Sequence, residues 1–347
     1  MSRQLFFTAV FLAAGFVATA KNDSIQFTWN VSYGVSFDIS AVQGEQFTIH
    51  WGDWEETFTS TGTAQQLTHM YNGSGEFTVK ITSLAEEDCF LSIGVGNKGL
   101  IDLDIKSEKM QVIVCSNNQL VNLNLNCPIL RYLDCSNNQL TNLNVETSTQ
   151  LTNLNCSNNL LTTLDLSNVV LIFSNLYCSD NQLTVLKPPP YCMFFFCFEC
   201  NNNRFLLSDL YVLCEHFNMA WREVRYYLGI QRLTAQTVKV NDTIDFSAQR
   251  QFDNIATVFI VEKNDTLADS STYNISNGII TFKDTGYYTV TMTNLALPPY
   301  VGTYTKVIAE FEVLPQDDTT SIKEQLRVAS CELRVTSYEL RVANRKY

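Results

Sequence analysis

The chain has 347 residues, room for two or three domains, and 46% of them are hydrophobic, enough for more than one packed core. It carries 35 acidic against 23 basic residues, a formal charge of −12, which speaks against nucleic acid or an anionic bilayer as partner, because either favours a basic face.

The chain opens with a targeting pattern. Arg3 supplies a positive start, residues 5–17 form an apolar run too short to span a bilayer, and Ala18-Thr19-Ala20 is a small-residue cleavage site. No later stretch has the length and apolarity of a transmembrane helix; the run 192–198 is bounded by Pro188, Glu199 and Arg204. Residues 1–20 are therefore expected to be a signal peptide, and the rest to be secreted or held on the outer cell surface.

Residues 21–88 show short alternating runs at 24–29, 46–51 and 76–81, separated by Gly, Asn and Ser, the pattern of a small β-sandwich. Residues 89–204 are different in kind. LDCSNNQLTNL (133–143) has close copies beginning at Ile113, Leu154, Leu176 and Phe198, with cysteines at 115, 135, 156, 178 and 200. One unit earlier, Val95 takes the place of the cysteine and Lys98 that of the asparagine three residues on, making about six units. Self-similarity at this period is the mark of a solenoid.

Within each unit the residues five and two before the cysteine, such as Leu130 and Leu133, should point inward with it from a short strand, and Leu140 should follow on the turn. The cysteines 115, 135, 156 and 178 are then small buried hydrophobes in parallel array, poorly placed to pair with each other. Asn118, Asn138, Asn159, Asn181 and Asn203 should form an inward ladder, each supplying a donor and an acceptor to backbone groups that the bend leaves unpaired. Positions three and one before the cysteine point outward and make two stripes on the concave face: Val112, Tyr132, Asn153, Asn175, Cys197, and Val114, Asp134, Asn155, Tyr177, Glu199. Tyr132, Asp134, Asn153, Asn155, Asn175, Tyr177 and Glu199 are the candidate ligand-binding residues, since Tyr combines a large contact area with a polar tip.

From Ser208 to Tyr227 the apolar spacing becomes three and four, at Leu210, Leu213, Phe217, Trp221 and Val224, predicting an amphipathic helix within a cap at 205–229 that Gly229 ends. Such a cap keeps the last exposed rung dry. Residues 230–315 return to β patterning, with strands expected at 237–240, 257–261, 279–282, 287–292 and 307–313 between turn signals such as Asn241-Asp242, Asn277-Gly278 and Asp284-Thr285-Gly286, the spacing of an immunoglobulin-like sandwich. Residues 316–347 carry a seven-residue repeat, from Leu326, Leu333 and Leu340, whose Leu and Val lie two apart; it is no coiled-coil heptad and is expected to be a disordered tail.

The repeat matches L-x-x-L-x-C/L-x-x-N-x-L. The segment resembles bacterial surface leucine-rich repeat proteins of the internalin-like kind, with Cys-type repeats, over about a third of the chain. His50-Trp51-Gly52-Asp53-Trp54, His69-Met70-Tyr71 and Gly75-Glu76-Phe77-Thr78-Val79 resemble a PKD-type sandwich, with Trp54 in place of the usual glycine. Residues 230–315, with Asp284-Thr285-Gly286-Tyr287-Tyr288, look like a bacterial immunoglobulin-like module. The expected fold is thus mostly β, a leucine-rich repeat solenoid with short parallel strands flanked by two small β-sandwich domains.

Chemistry is sparse. His50, His69 and His216 are the only histidines, the first two lie in the PKD-like motif where packing explains them, and no nucleophile elbow, zincin motif or P-loop is present. For the cap cysteines three readings stand: a disulfide of Cys192 or Cys197 with Cys214, free thiols, or zinc on Cys197, Cys200, Cys214 and His216, against which Cys197 and Cys200 should diverge. The pairing of Cys89 and Cys127 is left open by the sequence. No catalytic residue, metal or cofactor is expected, and the chain is read as a non-enzyme that binds an extracellular protein or glycan. The alternatives are a structural stalk without a specific ligand and, less favoured, a carbohydrate-active or proteolytic enzyme.

Overall fold

The structure is a computed structural model, and it describes residues 23–31, 34–170, 174–190, 197–217, 225–297 and 305–316. The expected signal peptide and the seven-residue repeat lie outside the described residues, as do Trp221, Val224, Cys192 and Cys331. The molecule is mostly β, with a solenoid of about four turns. It divides into two compact units, one within 1–160, 165–173 and 189–191, the other within 161–164, 174–188 and 192–347, so that repeats belong to both.

In the first unit the strands are β1 (Ser24–Val31), β2 (Gly34–Ala41), β3 (Gln46–His50), β4 (Glu55–Thr59), β5 (Gln65–Met70), β6 (Gly75–Ser83), β7 (Phe90–Gly94), β8 (Leu100–Lys106), β9 (Val112–Val114), β10 (Asn122–Asn126), β11 (Tyr132–Asp134) and β12 (Asn153–Asn155). One sheet runs β10-β8-β1-β6-β3-β4, and in the other β12-β11-β9-β7-β2-β5 are consecutive. Alternation explains the sandwich: Ile25, Phe27 and Trp29 of β1 and Phe37 and Ile39 of β2 are buried, and Phe27 meets both Trp29 and Phe37 edge-on with centroids 4.9 and 5.4 Å apart.

The sandwich and the repeats share both sheets. β7 is antiparallel to β2 on one side and parallel to β9 on the other, and β8 is antiparallel to β1 and parallel to β10. Pairing therefore runs without a break across 88 and 89, and the first repeat unit is also the sandwich's last strand pair. An open solenoid end would expose a ladder edge and apolar side chains; here antiparallel strands cover it. Ile93, Ile113, Leu133 and Leu154 stand in register along the parallel strands, each at most 1% exposed.

The second unit contains β13 (Thr163–Asp165), β14 (Asn175–Tyr177), β15 (Val185–Lys187), β16 (Cys197–Glu199), α1 (Leu207–His216), β17 (Arg225–Tyr227) and β18 (Ile230–Arg232). Beyond them come β19 (Gln236–Lys239), β20 (Thr243–Asp245), β21 (Gln251–Phe252), β22 (Ile255–Ala256), β23 (Val258–Lys263), β24 (Thr266–Leu267), β25 (Tyr273–Ser276), β26 (Ile279–Phe282), β27 (Gly286–Thr293) and β28 (Lys306–Leu314). Phe282, Tyr288, Val290, Met292, Val307 and Phe311 form the core of this last group. Its turns fall at Asn241, Asn277, Gly278 and Gly286, all with positive φ, as the turn signals require.

The cap differs from expectation. The helix ends at His216 rather than continuing toward 229, and Arg225–Tyr227 is a strand parallel to β16. Buried Tyr226 and Leu228 lie two apart, a strand period, so burial here follows a sheet and not a helix face. Gly229 does not end a helix; it has φ +56° in the turn after β17, where a Cβ would lie 2.5 Å from Asn201 Cβ. α1 does cover a rung, since Leu207, Leu210 and Leu213 are buried and the Phe217 ring meets Phe198 edge-on at 5.1 Å.

Candidate functional site

The SNN stretch holds its two asparagines for different reasons. The first takes the left-handed backbone: Asn97, Asn117, Asn137, Asn158 and Asn202 have φ between 54° and 58°, and Asp180 replaces it at 56°. Asn and Asp tolerate this region best among residues with a side chain. The second asparagine brackets the bend. Asn138 Nδ2 donates to the carbonyls of Cys135 and Cys115, both at 3.0 Å, while its Oδ1 accepts from Leu120 N at 3.0 Å. Asn159 makes the same set with Cys156, Cys135 and Leu140, and Asn203 with Cys200, Cys178 and Leu183. Asn118 reaches Cys115 and Val95 and accepts from Lys98 and Leu100, and Asn181 donates to Cys178 and accepts from Leu161.

A further rung was not anticipated. β17 pairs Cys197 with Arg225, Phe198 with Tyr226 and Glu199 with Tyr227, which puts Leu228 in the place of the cysteine and Gln231 in that of the asparagine. Gln231 Nε2 donates to Cys200 O at 2.9 Å and Leu228 O at 2.6 Å, repeating the asparagine pattern with a longer side chain. Its Oε1 is buried without a partner. The sequence signal was Leu228-x-x-Gln231 after two tyrosines, hidden because the step from Cys200 to Leu228 is 28 residues.

The cysteines of the repeats are inside the ladder. All nine described cysteines are buried thiols outside any disulfide, so Cys197 and Cys214 are not joined to each other. Burial pushes the thiols of Cys115, Cys135, Cys178 and Cys200 well up, and those of Cys127 and Cys214 up to about 12. Among the described residues no group of His, Cys, Asp or Glu is arranged to hold a metal ion.

The outward positions fall into short rows. In the first unit Val112, Tyr132 and Asn153 are in register, as are Val114, Asp134 and Asn155. Tyr132 is 39% exposed, and its hydroxyl pKa is raised by partial burial and then by Asp134. Asp134 Oδ1 accepts from Ser136 N and Oγ, and Asn155 Oδ1 accepts from Ser157 N, so each side chain is partly engaged at its own strand end. In the second unit Asn175 pairs with Cys197, and Tyr177 with Glu199, which continues to Tyr227. Tyr177, Glu199 and Tyr227 are all half-buried. Cys197 is a correction: it stands at an outward place yet is only 8% exposed, lying between paired strands on both sides.

In the sandwich, the His69 ring stacks on Trp51 at 4.9 Å and its Nε2 lies 2.7 Å from Asp53 Oδ1. Tyr71 donates to Trp51 O at 2.8 Å, and burial pushes its hydroxyl up to about 12. His50 Nδ1 is 2.9 Å from Glu55. These contacts belong to packing of the Trp-Gly-Asp turn.

No helix among the described residues is long and apolar enough to cross a membrane. No protein-family model matches the chain, and no curated protein matches it. Among solved structures, InlP of Listeria monocytogenes is similar at 17% identity over 64% of this chain and 70% of that one, with a TM-score of 0.32. The leucine-rich repeat domain of APL1B is 22% identical over 39% of this chain and 45% of its own, at 0.28. The internalin-like protein lmo2027 of Listeria monocytogenes is 15% identical over 60% and 66%, at 0.29. The chain thus spans less than two thirds of the latter two. Since every score lies below 0.5, the leucine-rich repeat fold rests on the ladder of cysteines and asparagines itself.

Proposed function

We propose that this chain is an exported binding protein, secreted or held at the outer cell surface, that recognises an extracellular protein or glycan through the strand face of its repeats. Tyr132, Asp134, Asn153 and Asn155 in one unit and Asn175, Tyr177 and Glu199 in the other are the contact residues, with Tyr227 added by the further rung. The observation that carries this reading is that these polar and aromatic side chains are partly exposed on in-register parallel strands, whose alternate residues are buried. Regular backbone makes such a face rigid, which lowers the ordering cost of binding. The internalin-like character, the PKD-like and immunoglobulin-like flanks, and the absence of enzymatic activity and cofactor belong to the same proposal. So does export, which rests on residues 1–20.

A structural stalk is the second reading, and one joint favours it. β18 donates and accepts within the last rung, through Asn202 N to Ile230 O and Arg232 N to Asn203 O, and also pairs in parallel with β28. One strand thus belongs to both the solenoid and the C-terminal sandwich, which suits a stiff spacer. Residues 21–316 displayed against extracellular matrix proteins and a glycan array separate the readings. Saturable capture of a defined ligand supports recognition; uniform background across both panels rejects it in favour of the stalk.

A further inference from the structure

Gln182, Arg204 and Arg232 stand four residues after Cys178, Cys200 and Leu228, the same place in three successive turns of the second unit. The backbone holds them there: Gln182 N donates to Leu161 O and Arg204 N to Leu183 O, each at 2.9 Å, and Arg232 N donates to Asn203 O at 2.8 Å. All three residues line one groove. Two arginines stacked on neighbouring turns repel each other, and the first unit has neutral Gln119 and Gln139 at this place. In a chain of charge −12 such a pair is not explained by composition.

This groove, of about 470 Å³, also takes in Asn202, Leu233 and Thr234. Arg204 is half-buried and, among the described residues, has no carboxylate within ion-pair reach; Gln182 is likewise half-buried with a free amide. Arg232 Nη1 lies 3.6 Å from Glu310 Oε1, but that pair is more than half exposed at 60% and 53% and exchanges readily with another anion. Asn202 is engaged, its Nδ2 donating to Asp180 Oδ1 at 2.7 Å. What the groove offers is one unpaired guanidinium fork, a second loosely held one, a side-chain amide and a hydroxyl. A fork matches the two oxygens of a carboxylate or sulfate, and the amide and hydroxyl match sugar hydroxyls. With Leu233 and Ala235 as its apolar lining, the groove has little for peptide side chains to fill.

We propose that this groove binds an acidic saccharide, its carboxylate or sulfate held between Arg204 and Arg232 and its hydroxyls by Gln182 and Thr234. The inference does not depend on the strand-face reading above. The test is calorimetric titration of the full chain with a uronic acid trisaccharide, a sulfated neutral trisaccharide, the unmodified neutral trisaccharide and a ten-residue glutamate peptide. At least one acidic sugar should bind in the millimolar range or tighter and the neutral one should not; which acid binds distinguishes carboxylate from sulfate. Arg204→Gln should weaken binding about tenfold and Arg204→Lys less, each with an unchanged melting temperature. Absence of binding by both acidic sugars, equal binding by the neutral sugar or the glutamate peptide, or full affinity in folded Arg204→Gln or Arg204→Lys protein overturns the proposal.

Discussion

Asn138 donates from Nδ2 to the carbonyl of Cys115, 23 residues earlier, at the same 3.0 Å as to the carbonyl of Cys135 in its own turn. One side chain therefore closes its own bend and ties it to the preceding one. Removing it leaves the Leu120 amide buried without a partner, a loss of roughly 1–3 kcal/mol, and takes one of two asparagine donors from each carbonyl, since Asn118 still reaches Cys115 and Asn159 still reaches Cys135. Asn138→Ala should lower stability by about 1–3 kcal/mol. Asn153→Ala, at a half-exposed outward place, should change it by about 0.5 kcal/mol or less. Chemical denaturation of the two variants checks this; equal losses would contradict the inward and outward assignment.

Gly229 and Gln231 carry the end of the array. Gly229→Ala adds a Cβ 2.5 Å from Asn201 Cβ at φ +56°, whereas Gly44→Ala at φ +84° meets nothing within 4 Å. Gly44→Ala should cost about 1 kcal/mol for backbone strain alone and Gly229→Ala clearly more, because the overlap is added to that strain. Melting curves of the two proteins give the comparison, and a smaller loss at Gly229 would remove the further rung from the fold.

The buried thiols make two expectations. In the folded protein at pH 8 Cys115, Cys135, Cys156 and Cys178 should resist alkylation, and in denaturant without reductant all four should react. Peptide mapping that finds any two of them joined would contradict the ladder. Because burial raises the folded pKa of Cys115, Cys135 and Cys178 above the ordinary thiol value of about 8.5, the stability they contribute is present below that pH and is lost as pH rises past it. Unfolding free energy should fall above about pH 9, which a denaturant series at rising pH measures.

Asp23 gives the opposite end of the pH scale. Its side chain is 3% exposed; burial raises its pKa, against the lowering effect of Cys89 N at 2.6 Å and Phe90 N at 3.3 Å on Oδ2, and Oδ1 has no partner. A raised folded pKa favours folding below the ordinary carboxylate value of about 3.9, and this contribution is lost as pH rises through the folded pKa. Asp23→Asn keeps an acceptor for both amides and removes the titration. Its stability relative to the parent should therefore rise between pH 4 and pH 7, and a constant difference across that range would show that Asp23 titrates normally.

For the strand face, Tyr132→Ala and Tyr177→Ala should each weaken a captured ligand about tenfold or more, since large aromatic anchors dominate interfaces. Both should melt close to the parent, and Thr141→Ala, exposed on a turn, should leave affinity unchanged. Intact affinity in both tyrosine variants would move the site to the flanking sandwiches.

By itself the sequence determined what depends on near neighbours. The cysteine and asparagine columns, the inward set such as Leu130, Leu133 and Leu140, and strands near 237–240 and 287–292 follow from period, side-chain size and turn residues, all local properties. The left-handed place of Asn137 is equally local, since Asn tolerates positive φ. The tertiary structure decided what depends on residues far along the chain. It placed Leu228 and Gln231 as another rung despite the 28-residue step, because a strand pairs by backbone register whatever the length of the connection before it. It covered Cys197, whose outward place alone predicts exposure, and it made β7 and β8 common to sandwich and solenoid, because burial and strand pairing are set by which distant segments come to lie alongside.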